Sequence, residues 1–137
     1  YQGAAQASGY QGAAQASGVR GAAQASGDQG AAQASGVRGA AQASGDQGAA
    51  QASGDQGAAQ ASGYQGAATA GHPEAIAMAA GIDSKARGVL GSWIVLSEWE
   101  GLPDAWHRKD VQAVRVDGET IKADVFYQLR DGKIVEE

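Results

Sequence analysis

Residues 1–72 repeat one nine-residue unit eight times, and this repeat limits the possible folds more than any other feature. The first unit reads Tyr-Gln-Gly-Ala-Ala-Gln-Ala-Ser-Gly, and we number its positions as places one to nine. Later units vary at places one and two, which hold Tyr-Gln, Val-Arg or Asp-Gln, and the eighth unit ends Thr69-Ala70-Gly71-His72. A fixed short period of this kind is typical of stacked or fibrous architectures.

Small and polar residues alternate within the unit with the period of a β-strand. Places three, five, seven and nine hold Gly, Ala, Ala and Gly, whereas places four, six and eight hold Ala, Gln and Ser. An extended chain would therefore turn a uniformly small face inward and a mostly polar face outward. Places one and two lie between glycines, and glycine tolerates positive φ. We therefore predict that the chain turns a corner there.

Other conformations fit the repeat less well. A helix would carry two glycines per unit, each costing about 1 kcal/mol relative to Ala. Nine residues also make about two and a half helical turns, so successive units would face opposite sides. A collagen-like triple helix needs Gly at every third residue, but place six is Gln. Disorder stays open as an alternative, because Gly, Ala, Ser and Gln are typical of linkers.

The repeat predicts an all-β fold: a parallel β-solenoid, or β-roll, with two strands per coil and four coils over residues 1–72. Its thin core favours help from partner chains, so we expect a homo-oligomer, either a trimer or a filament. One feature argues against two units per coil, because Asp28 would then stack on Asp46, and like charges directly opposite are unfavourable. Three units per coil would bring Arg20 near Asp46 instead, and this alternative stays open.

Composition argues against several classes of function. The formal net charge is −5 without a basic patch, so nucleic acid is not a predicted partner. No apolar run approaches the roughly 18 residues that span a bilayer, so no membrane span is predicted. The absence of cysteine excludes disulfides and thiolate chemistry.

The nine-residue frame continues over Pro73–Gly81 with changed chemistry. Its outward places hold Ile76, Met78 and Ala80 where the repeat has Ala, Gln and Ser. An outer face that was polar has therefore become apolar, and we expect a later segment of the chain to cover it.

The last part of the chain predicts a β-rich cap. We divide the chain into a repetitive β-solenoid shaft (1–92) and a C-terminal β-meander cap (93–137), in which Trp93 and Trp99 pack with Ile76 and Met78. Residues 105–109 predict a helical turn, and Asp131-Gly132 predicts a tight hairpin. The predicted strands are 89–99, 111–116, 121–130 and 133–136.

Ala75-Ile76-Ala77-Met78, followed by Ser84-x-Ala86-x-Gly88, resembles the head repeats of trimeric autotransporter adhesins. The array also resembles repeat regions of bacterial and phage fibre-like proteins. The resemblance covers roughly residues 1–92 and implies a left-handed parallel β-roll in a homotrimer, used for surface attachment in an extracellular, cell-surface or virion location. The array departs from the family in its nine-residue unit and in having Gly rather than Ser at place three. No family binding residue transfers.

Few residues suggest catalysis. The sequence contains the residue types of a Ser/His/Asp triad, but neither candidate serine lies in the Gly-x-Ser-x-Gly turn that exposes a nucleophile. The residues that such a triad would use are His72, His107, Ser92, Ser97, Asp104 and Asp110. The pair Glu98 and Glu100 suits a solvated strand end better than a catalytic carboxylate pair.

The aspartates of the array do not predict a metal site. Asp28, Asp46 and Asp55 each follow a glycine, but calcium-binding nonapeptide repeats need Asp in nearly every unit. We therefore predict a protein that is not an enzyme, with no catalytic residue, no cofactor and no metal.

The corner residues are the candidate contact or assembly positions. The large or charged residues at places one and two are Tyr1, Tyr10, Arg20, Arg38 and Tyr64. Our main hypothesis is a structural fibre, stalk or adhesin-like surface repeat protein. The alternative is a ligand-binding module that presents a flat repetitive β face to a glycan or to ice.

Overall fold

The structure, a computed structural model, describes residues 4–7, 9, 12–16, 22–35, 37–102 and 105–136. These residues contain fourteen β-strands and no helix. Ten strands of four residues follow one another at about the repeat spacing: β1 (Ala4–Ala7), β2 (Ala13–Ala16), β3 (Ala22–Ala25), β4 (Ala31–Ala34), β5 (Ala40–Ala43), β6 (Ala49–Ala52), β7 (Ala58–Ala61), β8 (Ala67–Ala70), β9 (Ile76–Ala79) and β10 (Lys85–Gly88). The remaining strands are β11 (Trp93–Leu102), β12 (Ala105–Arg115), β13 (Tyr127–Arg130) and β14 (Lys133–Glu136).

Strands of the array alternate between two sheets. One sheet has the order β1-β3-β5-β7-β9-β11-β12 and the other β14-β13-β10-β8-β6-β4-β2. Array strands pair in parallel with an offset of 18 residues, so that Ala22 lies beside Ala40 and Gln24 beside Gln42. The prediction of a β-solenoid with two strands per coil is confirmed. The alternative of three units per coil is wrong, because backbone pairing outweighs the stacking of Asp28 and Asp46 on exposed corners.

The interior of the shaft consists of methyl groups and glycine backbone. Ala34 and Ala52 are fully buried, and the four-residue strands alternate exposed or half-buried with buried positions. Gln33, the neighbour of Ala34, points outward and donates its amide to Gln51 Oε1 at 3.1 Å. The predicted inward small face and outward polar face are therefore both present.

The described corners are tight turns in which place two has positive φ, except at Glu74. Gln29, Gln47 and Arg38 have φ of 59°, 59° and 61°. The place-three N–H donates to the place-nine carbonyl, as Gly30 does to Gly27 at 3.1 Å. Positive φ at the third turn residue is the sign pattern of a type II turn. The corner position is confirmed, but the predicted reason was wrong, because a Gln or Arg rather than a glycine adopts positive φ.

The array glycines are needed for space instead. A Cβ on Gly45 would lie 2.1 Å from the carbonyl oxygen of Gly27 in the preceding coil, and one on Gly63 would lie 2.1 Å from that of Gly45. These neighbours are backbone atoms, so they cannot move aside as a side chain would. At Gly45 and Gly63, place nine therefore brings successive coils closer together than any side chain permits.

The last unit before the cap is one residue short. Ser84 takes place three, where its hydroxyl donates to the Gly81 carbonyl, and Ser92 repeats this bond to Val89 O eight residues later. Trp93 consequently pairs with Ile76 at an offset of 17 residues. The shortened unit leads the chain directly from the shaft into β11.

The cap extends both sheets and replaces the alanine interior with larger residues. β12 pairs antiparallel with β11, with a register irregularity between Glu98 and Trp99. The hairpin of β13 and β14 continues the other sheet, where Tyr127 pairs with Ala86. The buried residues of this region include Ile94, Leu96, Val116, Ile121, Tyr127 and Leu129.

Two predicted elements of the cap are wrong, whereas the strand over 133–136 and the hairpin turn before it are confirmed. The segment 105–109 belongs to β12 rather than to a helical turn, since a long strand there satisfies its backbone against β11. The strand predicted over 121–130 begins only at Tyr127. The Asp131-Gly132 hairpin is confirmed, with φ of 53° and 74° at its two central residues.

The four residues predicted to pack between shaft and cap lie on strands of the same sheet. Ile76 and Met78 are half-buried on β9, and Trp93, beside Ile76 on β11, is 47% exposed. Trp99 is half-buried, and its indole N–H donates to Ala80 O at 3.0 Å. Their packing as one cluster and the boundary between 1–92 and 93–137 stay predictions. No helix in the described ranges has the length and apolarity to cross a membrane.

Candidate functional site

Two of the five predicted corner residues lie in the described part of the chain, and they occupy opposite corners. Tyr1, Tyr10 and Arg20 lie outside the described residues. Arg38 is exposed, and its Nε donates to Gln56 Oε1 in the next coil at 3.1 Å. Tyr64 is 45% exposed on the other corner. The corner that carries Tyr64 also carries a ladder of glutamine amides and a surface cavity.

This first corner consists of residues 27–30, 45–48, 63–66 and 81–84, which stack because each coil adds 18 residues. Place one of the stack changes from Asp28 and Asp46 to Tyr64 and then to an isoleucine. Place two holds glutamine in three successive coils and then Asp83. The first corner therefore presents one column of mixed chemistry beside one column of amides.

The glutamine column is held by hydrogen bonds from coil to coil. Gln29 Nε2 donates to Gln47 Oε1 at 2.9 Å, and Gln47 Nε2 donates to Gln65 Oε1 at 3.1 Å. The backbone is tied in the same way, since the N–H of Gln47 donates to the carbonyl of Tyr64 at 2.7 Å. Positive φ at place two thus directs each amide along the corner at a regular spacing.

Three adjoining cavities follow the first corner and meet the cap, and we call their sum the corner groove. The first, of about 330 Å³, is lined by Asp28, Gln29, Asp46, Gln47 and Tyr64. The second, of about 390 Å³, is lined by Gln47, Gln65, Asp83, Lys85, Gln128 and Arg130. The third, of about 180 Å³, is lined by residues 83–84, 97–99 and 128–131. Shared residues connect each cavity to the next, so the groove is continuous.

Hydrogen bonds from the cap hold the far end of the corner groove. Gln128 Nε2 donates to Asp83 O at 3.2 Å, and its Oε1 accepts both Nε and Nη2 of Arg130 at 3.0 and 2.7 Å. The Glu98 carboxylate accepts the backbone N–H groups of Asp131 and Gly132. Glu98 therefore anchors the hairpin turn and is not the solvated strand end that the sequence predicts.

The Trp99 side chain lies where the last coil meets the cap. The Arg108 guanidinium lies 4.6 Å from the ring centroid of Trp99, a cation–π distance, and it also donates to Ala80 O at 3.1 Å. Since Trp99 Nε1 donates to the same carbonyl, the indole is fixed in orientation at the third cavity.

Ser92 and His72, two of the residues considered for a catalytic triad, hydrogen-bond to backbone groups rather than to each other. Ser92 Oγ donates to Val89 O at 2.6 Å, whereas Ser97 lines the third cavity. His72 lies on the other corner, where its Nδ1 accepts the backbone N–H of Glu74 at 3.1 Å. Asp104 and the side chain of His107 are outside the described residues. The described residues include no group of three His, Cys, Asp or Glu side chains that could hold a metal ion.

The pKa of Asp117, which lies away from the corner groove, is lowered by backbone hydrogen bonds. Backbone N–H groups of Ile121 and Glu119 donate to Asp117 Oδ1 at 3.0 and 2.9 Å and hold the pKa of this carboxyl below its usual value of 3.8. The carboxylate closes the loop after β12, so its role is structural.

The outer sheet faces carry their own regular features. Amide ladders include Gln24 to Gln42 at 3.3 Å on one sheet and Gln33 to Gln51 at 3.1 Å on the other. Near the cap, one face becomes apolar over five residues that we call the apolar band. The apolar band comprises Ile76, Met78, Trp93, Val95 and Val111, which the strand register places on the same side of the sheet.

Sequence reasoning identified Tyr64 but missed the residues that make the corner a groove. The 18-residue coil predicts that Gln29, Gln47 and Gln65 stack, because their spacing is regular. No comparable periodicity links them to Gln128 and Arg130, which reach the corner only through the fold of the cap.

No protein-family model, curated protein or solved structure matches this chain in the comparisons made.

Proposed function

We propose that this chain is a structural fibre, stalk or adhesin-like spacer without enzymatic activity, and that it assembles with copies of itself as a homotrimer or filament. The coil-to-coil register of the array carries this proposal. Ala22 lies beside Ala40, and Ala40 beside Ala58, so the strands of these coils carry the same side chains. Coils that repeat nearly identical strands provide length and stiffness, and they do not form a pocket specific to one coil.

The thinness of the core supports assembly with further chains. The interior of the array consists of alanine and glycine, and each alanine buries little apolar surface, at about 25 cal/mol per Å². Much of the cohesion therefore comes from backbone ladders and from stacked amides such as Gln33 and Gln51. Contact between copies would bury additional surface.

The apolar band supplies a surface for such contact. Trp93 and Val111 are 47% and 49% exposed, and Ile76 and Met78 are half-buried beside them on the same face. A neighbouring copy presents the same apolar face, so a symmetric assembly would bury these residues against each other. An extracellular, cell-surface or virion location belongs to the proposal through the resemblance to adhesin heads.

The mass of the protein in solution tests the proposal. We expect light scattering after size exclusion to give three times the chain mass or a filament, and the double variant Trp93→Gln and Val111→Gln to shift the mass toward one chain. Val37→Gln is the matched control, because Val37 is 44% exposed on a corner away from the apolar band. A single-chain mass for the unaltered protein would overturn assembly, and equal loss in the control would overturn the role of the band.

A further inference from the structure

The corner groove has the chemistry of a saccharide site, and we infer that it binds a neutral, linear polysaccharide along the length of the shaft. This function goes beyond the proposed structural role and locates a ligand on a corner rather than on the flat sheet faces. The inference depends on the continuity of the groove, its unused hydrogen-bonding capacity, its charge and its spacing.

Continuity gives the groove the shape for a linear polymer rather than for a small molecule. Gln47 lines both the first and the second cavity, and Asp83 and Arg130 line both the second and the third. The groove therefore spans the coils that contain Asp28, Asp46, Tyr64 and Asp83. A ligand that contacts all three cavities must itself be extended.

The Gln47 amide, which lines two of the cavities, retains hydrogen-bonding capacity. A glutamine side chain has two N–H donors and two acceptor lone pairs. Gln47 uses one donor toward Gln65 and one acceptor toward Gln29 in the ladder, which leaves one of each for a ligand. Hydroxyl groups both donate and accept, so a chain of hydroxyls complements a column of amides.

The charge of the groove disfavours polyanions. Five carboxylates line it, those of Asp28, Asp46, Asp83, Glu98 and Asp131, together with the cations of Lys85 and Arg130. An acidic groove repels nucleic acid and sulfated or uronic-acid polymers. Carboxylates accept hydrogen bonds from hydroxyls, so a neutral polyhydroxyl ligand fits the same residues.

The spacing of the coils suits a saccharide better than a peptide. Successive coils lie one strand spacing apart, about 4.8 Å. This distance is close to the length of one ring in an extended hexose polymer, whereas an extended peptide advances only about 3.3 Å per residue. One sugar ring per coil would therefore place successive rings beside Gln47 and Gln65. Tyr64, 45% exposed beside them, supplies an aromatic ring for packing against a pyranose face.

The test measures binding of neutral hexasaccharides by isothermal titration calorimetry and by chemical-shift perturbation. The probes are β-1,4-linked hexamers of glucose, mannose and xylose, with the matching dimers for comparison. We expect at least one hexamer to bind and the matching dimer to bind at least roughly tenfold more weakly. Because no ion pair is formed, the affinity for the hexamer should change by less than about twofold between low and high salt.

Matched variants locate the site. Gln47→Gly with Gln65→Gly removes two groove amides at positions where φ is positive, a conformation that glycine adopts without strain. Gln33→Ala with Gln51→Ala removes two ladder amides from a sheet face outside the groove. We expect the first double variant to weaken binding roughly tenfold or more and the second to leave it within about twofold, with β-sheet circular dichroism retained in both.

Three results would overturn the inference. These are the absence of binding by all three hexamers, equal weakening in the two double variants, or salt-sensitive binding confined to a cationic probe such as chitosan hexamer or polylysine. A negative result would leave the proposed shaft intact, because the assembly state is measured separately.

Discussion

On the first corner, single glycines at place nine set how closely the coils approach. The Cβ built on Gly63 lies 2.1 Å from Gly45 O, and its other close neighbours are also backbone atoms. Gly63→Ala must therefore separate two coils, and we expect it to lower the free energy of unfolding by at least about 2 kcal/mol. Chemical denaturation followed by circular dichroism measures this loss.

Gly9 is the matched control for that substitution. It occupies the same place of the unit, but a Cβ there would meet nothing within 4 Å. Gly9→Ala should change stability by less than about 1 kcal/mol. If the two variants unfold alike, the close approach of the coils does not limit the residue at place nine.

Asp117 gives the cap a predicted dependence on pH. Because backbone N–H groups favour its ionised form, its pKa is lower in the folded chain than in the unfolded chain. The stabilisation it provides is fully present above pH 3.8 and is lost as pH falls through the folded value. Asp117→Asn does not titrate, so the difference in Tm between the two proteins should be largest at pH 7 and shrink below pH 3.8. A difference that stays constant down to pH 2.5 would contradict this assignment.

At the scale of elements, the hairpin of β13 and β14 depends on one carboxylate from β11. Glu98 accepts the N–H groups of Asp131 and Gly132 at the turn. We expect Glu98→Ala to destabilise the hairpin by about 1 kcal/mol, since Glu98 is only half-buried, and to speed hydrogen exchange of those two amides. Nuclear magnetic resonance measures both exchange rates.

Glu136→Ala is the control within the same hairpin. Glu136 is exposed on β14 and lies 3.7 Å from the Lys122 ammonium, a surface pair that contributes little. The exchange of Asp131 and Gly132 should be nearly unchanged in this variant. Equal acceleration in both variants would show that removing any acidic side chain loosens the hairpin.

The sequence predicted correctly those elements whose conformation depends on neighbouring residues. The alternation of Ala34 inward and Gln33 outward followed from a period of two, and the Asp131-Gly132 turn followed from its residue types. The extended form of residues 105–109 did not, because it depends on pairing with β11 rather than on local preference. Outside a repeat, pairing between distant residues has no signature in a single sequence.

At the scale of the whole molecule, sequence predicted the shaft better than the candidate site. The fixed period gave the coil length, since identical units must stack at one offset. The corner groove combines shaft residues such as Gln47 with cap residues such as Arg130, which are 83 positions apart. Only the shortened unit between Ser84 and Ser92, followed by the cap, brings them together.

An interior of alanine and glycine has a thermal consequence. The heat capacity change of unfolding rises with newly hydrated apolar area and falls with newly hydrated polar area. Because the array buries methyl groups and much backbone, we expect a heat capacity change per residue below the usual 12–15 cal/mol/K. Stability would then vary little between cold and warm conditions, and differential scanning calorimetry would show a shallow baseline step. A heat capacity change in the usual range would mean that the protein buries more apolar surface than the methyl groups of its coils provide.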